Sequence, residues 1–446
     1  MLSALPRVDD AAYFAALRDR EFARLDAQRH AYLDYTGSAL YADSQLRAHV
    51  ALLEGALFGN PHSDSAPSRA STERIDAARR RVLRHFDVDA STYDVIFTAN
   101  TSAAIKLVAE SYPFSPRTAF VLTADNHNSV NGVREFAARG GADVRYLPLG
   151  GELRLREARA LLARHARDGG GVFAFPAQSN FSGVLHPLSL VDEARALGYA
   201  VLLDAAAYVP SHALSLRRCP ADFVALSFYK LFGYPTGLGA LIARRESLAA
   251  LRRPWFAGGT VRYASVAAQT HRLRPRHEAF EDGTPDFLGV AALDAGFDLL
   301  DDAGMPRITA HVERLTSALL DGLRGMRHVC IYGPTNTLDR GGTVAFNIAD
   351  VPYWEVERRA RERGVSLRGG CFCNPGASEA AFRLGASRVN ACLRALGDDF
   401  TPERFADCAG TAVGAVRASL GLANNDDDVR RALEVVASFG TTIARS

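Results

Sequence analysis

Short apolar runs alternate with stretches of helical spacing from Asp94 onward. The runs Val95–Thr98, Ala119–Thr123, Val144–Leu147, Val172–Pro176, Ala200–Asp204 and Phe223–Ser227 have the length and near-continuous apolarity of buried strands. Helical spacing falls between them at Ala103–Glu110, Ser129–Ala138, Leu153–Arg167 and Leu188–Leu197. That rhythm predicts an α/β fold: a mainly parallel sheet wrapped by helices on both sides. Upstream, Ala11–Ala27 reads as an amphipathic helix and Ala31–Ala39 as a short strand broken by a polar turn. Ser71–Phe86 reads as an arginine-rich helix capped by Ser71 or Thr72. After Leu288 the texture changes. Helices are expected at Val290–Ala303, Arg307–Leu323, Trp354–Arg363 and Asp426–Ser438, with strands at Val329–Tyr332 and Thr343–Asn347. The expected organisation is an N-terminal helical segment (1–30), a large domain (31–290) and a smaller α+β domain (291–446).

Composition narrows the function classes. A chain of 446 residues exceeds one ordinary core. With 48% hydrophobic and 23% charged residues it is globular, and a net charge of +2 implies no nucleic-acid partner. No run reaches the length of a membrane span, and Met1–Asp10 lacks the pattern of a secretory leader, so a cytoplasmic location is expected. Six cysteines in so long a chain fit a reduced compartment, not a disulfide scaffold. The unusual pair is Cys371-Phe-Cys373; with no second pair to complete a tetrahedral set, no metal is expected.

In doubly wound sheets, ligands bind beyond the carboxyl ends of the strands, so the strand ends carry the chemistry. Lysine is scarce, and Lys230 follows the run Phe223–Ser227 among Phe228, Tyr229, Leu231 and Phe232. A desolvated lysine has a lowered pKa and a nucleophilic amine, as a Schiff base with an aldehyde cofactor requires. The plain alternative is a surface lysine on a loop. Thr101 and Ser102 open a helix after Thr98, which makes either a phosphate site or an ordinary cap. His127 could stack on a planar ligand or serve as a loop residue. Asn180 could donate to a ring oxygen or close an Asx-turn. Asp204 ends an apolar strand and needs a partner: a protonated pyridine nitrogen, or the N-terminus of the next helix. Taken in order, the strand ends offer a phosphate cradle, ring stacker, oxygen donor, nitrogen partner and amine.

With that order the chain resembles the class V, fold type I enzymes that use pyridoxal 5′-phosphate. Within them it is similar to the cysteine desulfurase branch, nearest the N-terminal domain of molybdenum cofactor sulfurases. The resemblance rests on Phe58-Gly-Asn-Pro-His-Ser63, Asn126-His127-Asn-Ser-Val130, Ser179-Asn180-Phe-Ser-Gly183, Asp204-Ala-Ala206, Phe280-Glu-Asp-Gly-Thr284, Gly370-Cys-Phe-Cys-Asn-Pro-Gly-Ala377 and Val416-Arg417-Ala-Ser-Leu-Gly421. It implies an aminotransferase-like large domain with a mainly parallel seven-stranded sheet, a homodimer, and Lys230 as the Schiff-base lysine. Asp204 would then pair the ring nitrogen, His127 stack on the ring and Asn180 lie near its hydroxyl. Thr101, Ser102 and Ser227 would contact the phosphate, with Thr284 reaching it across a dimer interface. Arg417 would fork onto the substrate carboxylate. Cys373, two residues after Cys371, would take sulfur from cysteine, leaving alanine and a persulfide for an acceptor protein. Arg368 is the cation expected near that thiol and substrate. Glycines 369, 370 and 376 suggest a mobile loop. The alternatives are another lyase on this cofactor (C–S or selenocysteine lyase), an epimerase or decarboxylase, or a non-catalytic sulfur carrier.

Overall fold

The computed structural model describes residues 10–443. Residues 1–9, over which most of the leader reading was made, lie outside them. Seven strands form the principal sheet: β1 (Tyr93–Thr98), β2 (Ala119–Thr123), β3 (Asp143–Leu147), β4 (Gly171–Pro176), β5 (Tyr199–Asp204), β6 (Phe223–Ser227) and β7 (Gly239–Arg244). Their order is β1-β7-β6-β5-β4-β2-β3. β7 runs antiparallel to both neighbours, and every other pairing is parallel. The central strands β2, β4 and β6 are buried along their whole length, which is why they read as continuous apolar runs.

A second sheet holds β8 (Val329–Tyr332), β9 (Thr343–Ile348), β10 (Arg368–Gly370) and β11 (Ala415–Ser419) in the antiparallel order β8-β9-β11-β10. The segment near residue 34 joins this sheet through a bridge from Asp34 to Ser419 and a two-residue strand, Ala31–Tyr32, paired with Val365–Ser366. Chain from near the beginning thus lies against chain from near the end, beside the tips of the first sheet.

Three expectations change. The arginine-rich helix runs from Ala66 to His85, with Ser65 at its cap position. Pro67 stands in its first turn, where a proline costs nothing. Ser71 is therefore inside the helix, and its Oγ donates back to Gly59 O and Pro67 O. Second, Cys392 and Cys408 form a disulfide, with Cα atoms 5.8 Å apart. It staples the Ala386–Leu396 and Pro402–Ala409 helices, whose small apolar cluster of Cys392, Phe405 and Ala409 stands apart from the main core. A covalent tie compensates for so little buried surface, and the sparse cysteine count gave no sign of it.

The third correction concerns the loop after β10. Gly369 and Gly376 serve close packing, whereas Gly370, at φ 121°, has open space where a Cβ would stand. A Cβ on Gly376 would stand 2.1 Å from Ala124 O, and one on Gly369 would meet the Tyr353 ring at 2.5 Å. The carbonyls of Cys371, Phe372 and Cys373 each accept a hydrogen bond, from Asn374 N, Asn180 Nδ2 and Asn128 N. The loop is tied down at every residue.

Candidate active site

Lys230 lies on a single helical turn, Phe228–Phe232, directly after β6. Gly233 ends the turn at φ 87°, where a Cβ would stand 2.3 Å from the Leu40–Tyr41 backbone, so only glycine lets the chain pass there. Phe228, Leu231 and Phe232 are buried and fix the turn, while Lys230 itself is partly buried. Its pKa lies below the ordinary lysine value of 10.5, chiefly because burial penalises the charged amine. Asp204 opposes that shift, Arg417 and Arg368 add to it, and Cys373 weakly opposes it.

The sign of this shift has a consequence. The unfolded chain keeps this proton up to about 10.5 and the folded chain releases it earlier, so between the two values unfolding takes up a proton and stability rises with pH. Lys230→Met is therefore expected to raise the Tm of the cofactor-free protein near neutral pH, with the gain shrinking as the pH approaches 10.5. Thermal denaturation across that range checks it; a gain that grows with pH contradicts it.

Asp204 ends β5, the strand beside β6. It is 8% exposed, and its Oδ1 accepts the Ala206 amide at 3.0 Å, which leaves the other oxygen for an incoming donor. His127 caps the short Asn128–Asn131 helix beyond β2, with Nδ1 accepting from Ser129 N at 3.1 Å. Burial lowers its pKa, Asp204 raises it, and Lys230 and Arg417 lower it further. The ring is thus a neutral plane sharing one field with Asp204 and Lys230.

Hydroxyls gather at the start of the Thr101–Ser111 helix. Ser227 Oγ lies 2.6 Å from Thr101 Oγ1 and accepts Thr101 N at 2.9 Å, and Ser102 Oγ lies 2.6 Å from Ser129 Oγ. A Cβ on Gly239 would stand 2.7 Å from Asn100 C, so glycine lets β7 pass close beneath this turn. Hydroxyls at a helix N-terminus, a carboxylate with a free oxygen, a neutral imidazole and an amine of lowered pKa suit the phosphate, ring nitrogen, ring face and aldehyde of pyridoxal phosphate. The donor set fits that cofactor.

The remaining residues divide. Asn180 accepts from Asn374 Nδ2 at 2.8 Å and donates to Phe372 O at 2.7 Å, so its amide is largely committed to the cysteine loop. Arg417 is 2% exposed, and Arg368 faces it across the β10–β11 ladder. Both guanidiniums bind Asp34, which sequence reasoning passed over as part of a polar turn. Arg368 is therefore not a free cation available to the thiols. Cys371 and Cys373 are both exposed around a buried Phe372. Cys373 contributes to the field at Lys230, whereas Cys371 contributes to that at Tyr353, on the other side of the loop. Thr284 is exposed and accepts from Asn60 Nδ2 at 3.4 Å. It lines a separate recess of about 350 Å³ with Thr98, Ala103 and Lys106. A groove of about 720 Å³ lies between β8, Trp354 and Gly410. Neither cavity includes Lys230, Asp204 or His127; the site is defined by its converging charges.

Sequence reasoning also missed the support beneath the loop. Asn374 is fully buried and donates to Asp125 O at 2.7 Å, and Asp125 pairs with His186 at 2.7 Å, both side chains 1% exposed.

Known proteins share this arrangement. Molybdenum cofactor sulfurase 2 of Culex quinquefasciatus is 38% identical over 94% of this chain and 57% of its own length. The molybdenum cofactor sulfurase of Arabidopsis thaliana is 34% identical over 95% of this chain and 58% of its own. The chain thus spans a little over half the length of these relatives. An apo cysteine desulfurase from Thermococcus onnurineus NA1 superposes with a TM-score of 0.79 at 23% identity, covering 98% of this chain and 99% of that one. A cysteine desulfurase from Escherichia coli gives 0.76 at 24% identity, over 95% and 98%. These likenesses establish the fold as fold type I. The model of aminotransferase class-V matches residues 31–432, a span that takes in every strand tip described above, and the chain belongs to that family.

Proposed function

We propose that the protein is a pyridoxal 5′-phosphate-dependent cysteine desulfurase, which removes sulfur from L-cysteine to leave alanine and a persulfide on Cys373. The observation that carries this reading is the field at Lys230, an amine whose pKa burial lowers and which lies within electrostatic reach of Asp204, Arg417 and Cys373. When bound, the cofactor supplies an electron sink for the pair released by loss of an α-proton. Asp204 would pair the ring nitrogen, His127 would cover the ring face, and the hydroxyls of Thr101, Ser102 and Ser227 would hold the phosphate. Lys230 Nζ takes the α-proton as general base. Arg417 receives the substrate carboxylate, and Asn180 positions the loop above it. Cys373, as thiolate, attacks the substrate sulfur; the substrate Cβ–S bond breaks, and the carbon fragment keeps that electron pair and takes up a proton to leave as alanine. A plain lyase on the same cofactor has no use for a thiol beside its lysine, and this favours the desulfurase.

The sulfur passes to an acceptor protein, and the relatives' name makes the molybdenum cofactor the first acceptor to assay. The working unit is a homodimer in which Thr284 of one copy serves the phosphate of the other. An exposed stripe of Leu46, Val50 and Leu53 on the Asp43–Gly55 helix offers apolar surface for that contact. No helix among the described residues is long and apolar enough to cross a membrane. We place the protein in the cytoplasm, with the Cys392–Cys408 disulfide the one pairing that runs against it.

Incubating the cofactor-loaded protein with a panel of amino acids tests the reading. Alanine release and protein-bound persulfide are expected from L-cysteine. Pyruvate and sulfide without persulfide would overturn the assignment in favour of a lyase.

A further inference from the structure

Arg368 and Arg417 stand opposite each other in the β10–β11 ladder. Like charges in that position repel, and the pair persists only with a counter-ion between them. Asp34 supplies it. Its Oδ1 accepts Arg417 Nη2 at 2.8 Å, and its two oxygens accept Arg368 Nε at 3.1 and 3.0 Å, with Arg368 Nη2 on Oδ2 at 2.6 Å. The Asp34 side chain is 12% exposed and that of Arg417 is 3% exposed. A Cβ on Gly37 would stand 2.5 Å from Arg368 Nη2 and 2.6 Å from Asp34 Oδ2, so the three groups close without space for a larger residue. Arg417 keeps a reserve of donors: Nη1 gives one bond to Asn180 O at 3.0 Å, and Nε is buried without a partner.

We infer that Asp34 is a positioning and specificity residue for the amino-acid substrate. It aims Arg417 at the site and cancels one of two cationic charges, leaving a net single positive charge suited to one substrate carboxylate. The inference rests on the reading of Arg417 as the carboxylate anchor. Simple charge counting would have removal of Asp34 strengthen anion binding. Positioning predicts the reverse, because Arg417 Nη2 loses the carboxylate that orients it.

The test compares Asp34→Ala and the near-isosteric Asp34→Asn with the parent, all loaded with cofactor. Calorimetry measures the Kd of L-cysteine and of L-alanine, and steady-state assays separate KM from kcat. Both variants are expected to bind amino acid at least about tenfold more weakly, the effect of losing one hydrogen bond to a charged group. Sodium formate is expected to restore binding to Asp34→Ala by filling the vacated place between the guanidiniums, and an equal concentration of sodium chloride is not. If Asp34→Ala does not fold, the Kd of Asp34→Asn alone decides. Unchanged or tighter binding in the variants, or formate acting no better than chloride, overturns the inference. A parent that binds amino acids but releases no alanine from L-cysteine overturns the desulfurase reading instead, and leaves the Asp34 comparison intact.

Discussion

Lys230→Ala is expected to lower alanine release from L-cysteine by at least about 10²–10⁴-fold, the range that a positioned acid–base group supplies. No neighbour can take over the proton. The Nδ1 of His127 already accepts Ser129 N. One oxygen of Asp204 already accepts the Ala206 amide, and the other is the proposed partner of the ring nitrogen. Lys106, the other lysine of the chain, is exposed beside Glu110 at 3.7 Å. Lys230→Arg is expected to fail as badly, because a guanidinium stays charged and cannot act as the base. The visible absorption band of the loaded protein should shift or vanish in Lys230→Ala. Retention of more than about a tenth of parental turnover, little more than 1 kcal/mol of barrier, would contradict the assignment.

Cys373→Ser is expected to reduce protein-bound persulfide to the level of cofactor-free protein while cofactor binding persists, whereas Cys371→Ser keeps most of it. Phe372 and Cys373 have φ of 56° and 55°, a left-handed backbone that costs residues with side chains about 1–3 kcal/mol each. The three carbonyl hydrogen bonds and the Arg417 guanidinium 4.7 Å from the Phe372 ring hold that conformation. Cys373 acts electrostatically on Lys230, and Cys371 on Tyr353. Cys219 offers no substitute, since burial pushes its thiol up to about 12. Persulfide labelling with mass mapping checks both variants. Equal loss in the two would mean that the loop rearranges before sulfur transfer.

The strand tips were legible because strand and site share one signal, an apolar run closed by a polar residue. Asp204 and Ser227 end β5 and β6 as read. Strand β7 escaped notice: it enters from a Gly/Pro turn and runs antiparallel, outside the strand-then-helix rhythm. Asp34 escaped for a different reason. Its partners Arg368 and Arg417 lie 334 and 383 residues away, and spacing along the chain carries no trace of such a contact. Gly369 and Gly376 were misread because glycine serves freedom and close packing alike, and only the positions of Ala124 O and the Tyr353 ring decide between them. The hydroxyls at Thr101 and Ser102 were found, but their mutual bonds with Ser227 and Ser129 join separate segments and needed the fold.

The most direct measurement is borohydride reduction of the protein loaded with pyridoxal 5′-phosphate, followed by peptide mass mapping. The chain carries two lysines, Lys106 and Lys230, so the result leaves little room for ambiguity. A single pyridoxyl group on the Lys230 peptide is predicted; label on Lys106, or on neither, would contradict the account.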